Sequence, residues 1–180
     1  YKRQAAGYGA GTSIEQVVLL PILGINTAII SIIAQNYGAK NFNRIKETYI
    51  TAIKYAFMIM VVSGIIVFIS AGVITGIFSN DPDIIRLGIP CLQIVGVLQY
   101  FDAIGLTLFF VLTGAGNTRF PAAVNMLICW LMFLPLAYYL SICHEMGVVG
   151  AWLGFAGWII PLAAVMAIKV RMGSWKKIEV

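Results

Sequence analysis

Apolar positions in this chain come in long runs broken only by short polar loops. Five runs occupy positions 10–35, 50–78, 87–113, 120–143 and 146–169. Each reaches the roughly 20 apolar residues that a helix needs to cross a bilayer. None shows the strict alternation of a strand, and none is apolar on one face only. Segments that are hydrophobic all round are read as helices surrounded by lipid or by other helices. A membrane barrel would need short alternating segments with regular turns, and the chain has none. The pattern predicts an all-α integral membrane fold of five transmembrane helices. Every run carries a helix-perturbing residue: Pro21 with Gly24, Gly64 with Gly72 and Gly76, Pro90 with Gly96, Pro135, and Pro161. Proline removes a backbone hydrogen bond and bends a helix. Both ordinary membrane-helix composition and a set of bent helices around a transport cavity account for this pattern.

Composition agrees. Of 180 residues, 61% are hydrophobic and 11% charged, with a mean hydropathy of +0.93. A typical soluble domain has roughly 25% charged residues. The net charge of +5 is explained by where the basic residues stand, and it implies no nucleic acid. Lys40, Arg44 and Lys46 lie in the first loop, Arg119 in the third, and Lys169, Arg171, Lys176 and Lys177 at the end. The second loop holds Arg86 beside Asp81 and Asp83, and the fourth has no Lys or Arg. Because Lys and Arg gather on the cytoplasmic side, loops one and three and the C-terminus are expected to be cytoplasmic. An odd number of spans then puts Lys2 and Arg3 outside. The first residue is tyrosine, and we expect the chain to be the C-terminal part of a longer polytopic protein.

Against this background the rare polar residues are the candidates for chemistry. Asp102 stands midway along VLQYFDAIGLTLFFVLTG, whose nearest flanking charges are Arg86 and Arg119. A charge at the centre of a membrane helix costs roughly 2.5–3.5 kcal/mol on insertion scales, so such residues are functional by default. A carboxylate there can alternate between a proton, a metal cation such as Na⁺ and a cationic substrate. The alternative is a structural acid bonded to a neighbouring helix. On a helix, Gln99 and Gly105 fall within about 60° of Asp102, and Gly105 allows close approach of a backbone or ligand. Glu15, in GTSIEQVV, is a second acid, either solvated at the outer interface or lining the same cavity. Asn26 shares its span as a packing or cavity polar group. Tyr100 has the aromatic face that a cation–π contact requires, and core packing is its alternative role. Lys54 can snorkel to the interface. No catalytic cluster or phosphate-binding loop is present, and His144 has no partner for a metal site. An enzyme within the membrane is therefore the weaker reading.

Several loop motifs, in order, resemble the multidrug and toxic compound extrusion (MATE) family of antiporters. LPILGINTAIISIIAQNYGAKNFNRIKE looks like the second helix of a lobe with its Gly-Ala loop. FFVLTGAGNTRFP looks like the family's RGAGDTR turn, with Thr and Asn replacing one basic and one acidic residue. LMFLPLAYYL and GVVGAWLG look like segments of the last two helices. The resemblance implies twelve helices in two lobes, with this chain as helices 8–12 and the N-terminal lobe as its partner in the same protein. It implies a cation-coupled (Na⁺ or H⁺) antiporter that exports organic cations by alternating access. The setting implied is an integral protein of the bacterial inner membrane in contact with lipid. The family's tenth-helix aspartate, part of a cation site, falls on Asp102, and Glu15 falls where relatives carry IEQ. A lipid-linked or polysaccharide flippase of the same superfamily is the alternative. It would need several basic cavity residues, and Lys54 is the one candidate.

Overall fold

The computed structural model describes residues 2–173, and for residues 2–8, 10, 11 and 14 it describes the helical backbone alone. Trp175, Lys176, Lys177 and the side chains of Lys2 and Arg3 lie outside the described residues. The chain folds into five long helices: α1 (Lys2–Gly38), α2 (Phe42–Phe78), α3 (Pro82–Gly114), α4 (Arg119–Cys143) and α5 (Gly147–Met172). All five are long and apolar enough to cross a membrane, the first over Glu15–Gly38.

The helices overrun the apolar runs. The 37 residues of α2 span about 55 Å at 1.5 Å per residue, well beyond a hydrocarbon layer about 30 Å thick. Local capping explains the extra turns. Asn41 caps α2 by accepting a bond from the Arg44 amide at 3.2 Å, so the helix starts in the polar loop, ahead of the run at 50. Asp81 caps α3 by accepting from the Asp83 amide at 3.0 Å, and Pro82 occupies the first turn. There its missing N–H is harmless. The turn after α3 is tight, as TGAGNTR suggests. Gly116 takes a φ of 82°, a left-handed value that side chains disfavour.

Pro135 shapes α4. The helix is regular from Arg119 to Ile128 and widens to π turns at Cys129–Phe133 and Tyr139–Cys143, with a short α segment at Leu134–Tyr138 between them. Proline cannot bond one turn back, and local widening is one way a helix adapts.

The centre of the bundle is α3. It packs against α1, α2 and α5, and more than half of its apolar length is buried. By contrast, α4 leans on α5 and is hardly buried, leaving Trp130, Leu131 and Tyr138 exposed. Small residues set the contacts. A Cβ on Gly64 would come 2.5 Å from the Gly96 carbonyl oxygen, and one on Gly96 would come 2.7 Å from the Gly64 carbonyl oxygen. Where lipid removes the hydrophobic drive between helices, such close backbone approach is the source of packing energy. Lys169, at the end of α5, lies 4.5 Å above the Phe120 ring at the start of α4. These ends share a side, as the alternating loop charges require.

Candidate functional site

A cavity of about 450 Å³ opens between α1, α3, α4 and α5. Each helix lines it by turn spacing. α1 contributes Thr12, Glu15, Gln16 and Leu19, and α3 contributes Asp102, Leu106, Phe109 and Phe110. α5 contributes Phe155, Trp158, Ile159 and Leu162, and α4 contributes Asn125. Residues three or four apart share one helix face, so four sequence-distant segments converge on a common space.

Glu15 and Asp102, the two acids that stand out in the sequence, line this one cavity. Asp102 is only 4% exposed, and its carboxylate has no hydrogen bond or ion pair to another described residue. An unpaired carboxylate in an apolar span is costly, and a ligand cation or a proton relieves that cost. No cluster of three or more His, Cys, Asp or Glu side chains suited to a metal exists among the described residues. A cation held here would therefore draw on two carboxylates and on neutral oxygens such as Thr12 and Gln16. No basic side chain is among the described residues that line the cavity.

The opposite wall is aromatic, and it is fixed in place. The Trp158 indole N–H donates to Asn125 Oδ1 at 2.9 Å, tying α5 to α4. Phe155 meets Trp158 edge-on at 5.2 Å and Trp152 at 5.6 Å, and Phe133 stacks behind at 6.0 Å from Trp158. A cation placed over the face of such a ring is attracted. The sequence does not single out this wall or Asn125. In an apolar span an aromatic residue carries no mark of which way it faces, and the spacing of Phe155 and Trp158 is the only available signal.

The other sequence candidates lie off the cavity. Gln99 is buried against α2, where Ser63 Oγ donates to its Oε1 at 3.1 Å. The Tyr100 ring is tilted against Phe57 at 6.2 Å. Asn26 is wholly buried and is not among the cavity-lining residues. Gly105 serves a backbone approach, since a Cβ there would lie 3.2 Å from the Ala163 Cα. That contact locks α3 to α5 one turn from Asp102.

Comparison with known proteins bears on the family and the fold. A family model described as MatE matches residues 2–139. A probable multidrug resistance protein NorM of Thermotoga maritima is 30% identical over 176 residues, covering 96% of this chain and 37% of that protein. Human multidrug and toxin extrusion protein 2 is 29% identical over 86% of this chain and 26% of its own length. The chain thus spans about a third of the curated relatives it matches. Among solved structures, the eukaryotic MATE transporter AtDTX14 superposes with a TM-score of 0.91 at 23% identity, over 98% of this chain and 39% of that one. An outward-facing MATE transporter of the MOP superfamily gives 0.88 at 23% identity, over 98% of this chain and 40% of that one. These likenesses match the five-helix fold.

Proposed function

Because the chain belongs to the MatE family, we propose that it supplies the cation-binding part of a cation-coupled antiporter that exports organic cations by alternating access. The observation that carries this reading is that Glu15 and Asp102 share one aromatic-walled cavity lined by no basic side chain among the described residues. The two acids give an organic cation its countercharge, and Phe109, Phe110, Phe155 and Trp158 give its apolar surface a place to lie. A Na⁺ or H⁺ entering the same cavity neutralises Asp102 and removes the drug's countercharge. Cation and drug therefore compete, and each favours the conformation that binds it better. That differential binding is the coupling, and the cation moves inward as the drug moves out. We take the loops carrying Lys40, Arg44, Lys46 and Arg119 to face the cytoplasm.

The relatives named above are described as multidrug resistance and extrusion proteins, which supports the substrate class. A flippase for a lipid-linked pyrophosphate needs cationic partners, and the described cavity lining offers none. Lys54 is exposed on α2 and does not line it.

The test is efflux of a fluorescent organic cation from proteoliposomes holding the full-length protein, under an imposed Na⁺ gradient and then an imposed pH gradient. Wild type should respond to one of the two, which names the ion. Asp102→Asn, which keeps the shape and loses the charge, should abolish gradient-driven efflux. Equal responses from both proteins would make Asp102 structural and overturn the assignment.

A further inference from the structure

Asn26 and Thr107 are each wholly shielded, at 0% exposure. Neither Asn26 Nδ2 nor Oδ1, nor Thr107 Oγ1, has a hydrogen-bond partner. Gln99 Nε2 and Ser141 Oγ are buried without a partner too, but several hydroxyls of the bundle are satisfied locally. Thr27, Thr48, Thr75 and Thr113 all turn their hydroxyls back onto the carbonyl one turn earlier in their own helices. Asn36 does likewise, donating to the Ile32 carbonyl at 2.7 Å. Helical Thr and Asn satisfy themselves in this way where nothing else is offered. Asn26 and Thr107 do not.

The helical register relates the two. On α1, Asn26 lies one turn after Ile22 and one turn before Ile29 and Ile30. On α3, Thr107 lies one turn after Ala103 and one turn before Val111. Ile22 and Ala103 belong to one apolar layer with Ala56 and Met60 of α2. Ile29, Val111 and Leu112 belong to the next, with Ala52 of α2. Along their helices, Asn26 and Thr107 thus each stand between residues of the same two clusters. On α2, the small side chains of Ala52 and Ala56 belong to these same clusters.

We infer that Asn26 and Thr107 hold ordered water between α1 and α3, in a buried polar layer separate from the Asp102 cavity. Water accepts from the Asn26 Nδ2–H and from the Thr107 hydroxyl, and donates back to Asn26 Oδ1. Buried waters make two to four such bonds, to groups that would otherwise go unsatisfied. The layer lies about 7.5 Å along α3 from Asp102, toward the α3–α4 loop. It makes wet the contact between the two helices that carry Glu15 and Asp102. Its existence does not depend on what the protein transports.

The test is a thermal-unfolding cycle on the detergent-solubilised full-length protein with Asn26→Leu, Thr107→Val and the double variant. Each single change strands the other group and should lower Tm by roughly 2–4 °C. The double variant leaves no polar group to satisfy and should lose clearly less than the sum of the two. Thr107→Ser keeps the hydroxyl and loses only a buried methyl, so it should keep the density of the bridging water, which guards against a Thr107→Val protein that fails to fold. Losses that add would mean that the two residues do not share a partner, and would overturn the proposal. A high-resolution map should show a separate density peak between the side chains in wild type and no peak in Thr107→Val. A direct Asn26–Thr107 bond with no density between them would overturn it equally.

Discussion

At the residue scale, the site divides into a part marked by charge and a part marked only by position. Glu15 and Asp102 are visible in the sequence because ionisable residues are expensive in apolar spans, and the fold brings both to one cavity. Trp158 and Asn125 are not, since an aromatic or an amide in such a span faces lipid or protein without a local signal. Their roles can be separated experimentally. Trp158→Phe keeps a ring and loses the bond to Asn125 Oδ1, whereas Trp158→Leu loses both. A cation–π contact contributes about 0.5–2 kcal/mol, equivalent to roughly a 2- to 30-fold change in apparent affinity. The Leu variant should therefore raise the half-saturating concentration of an aromatic cation toward the upper part of that range, and Phe should stay near the bottom. Concentration-dependent efflux in proteoliposomes gives both values. Equal values for Phe and Leu would show that the ring itself is not felt by the substrate.

At the element scale, the number and order of helices are legible because five runs are long enough to cross a bilayer and polar loops separate them. Their ends are less so. α2 begins at Phe42 rather than near 50 because Asn41 caps a stretch whose polar residues suit a helix outside the hydrocarbon. Which faces meet is not legible either, since membrane helices are apolar toward lipid and toward one another alike. Glycine gives part of the answer. Gly96 meets the Gly64 backbone closely, whereas a Cβ added at Gly24 would have nothing within 4 Å. Gly96→Ala should push α2 and α3 apart and cost about 1–3 kcal/mol, as overpacking does. Gly24→Ala should be neutral or slightly stabilising, because alanine favours helix over glycine by about 1 kcal/mol. Paired melting curves of the full-length protein check both. A Gly96→Ala protein as stable as wild type would mean that this contact is not tight in the membrane.

At the scale of the whole molecule, the described cavity lining departs in charge from the chain around it. The described lining of the cavity carries two carboxylates and no lysine, arginine or histidine, although the chain as a whole has a net charge of +5. Of the seven acids in the chain, Glu15 and Asp102 line the cavity, whereas Asp81 and Asp83 stand at the start of α3 with Arg86. An anion entering this cavity would lose its water next to Glu15 and Asp102 without a counterion, a penalty that low dielectric magnifies. A cation of equal size would meet two partners. With a pair of fluorophores matched in size and aromatic area, the cationic one should be exported at least about tenfold faster, since even 1.4 kcal/mol of discrimination gives that ratio. Replacing both acids, as Glu15→Gln with Asp102→Asn, should bring the two rates together by slowing the cation. If the anion is exported as well as the cation by wild type, basic groups from elsewhere in the full-length protein dominate the cavity, and the substrate assignment fails even though the fold and the family stand.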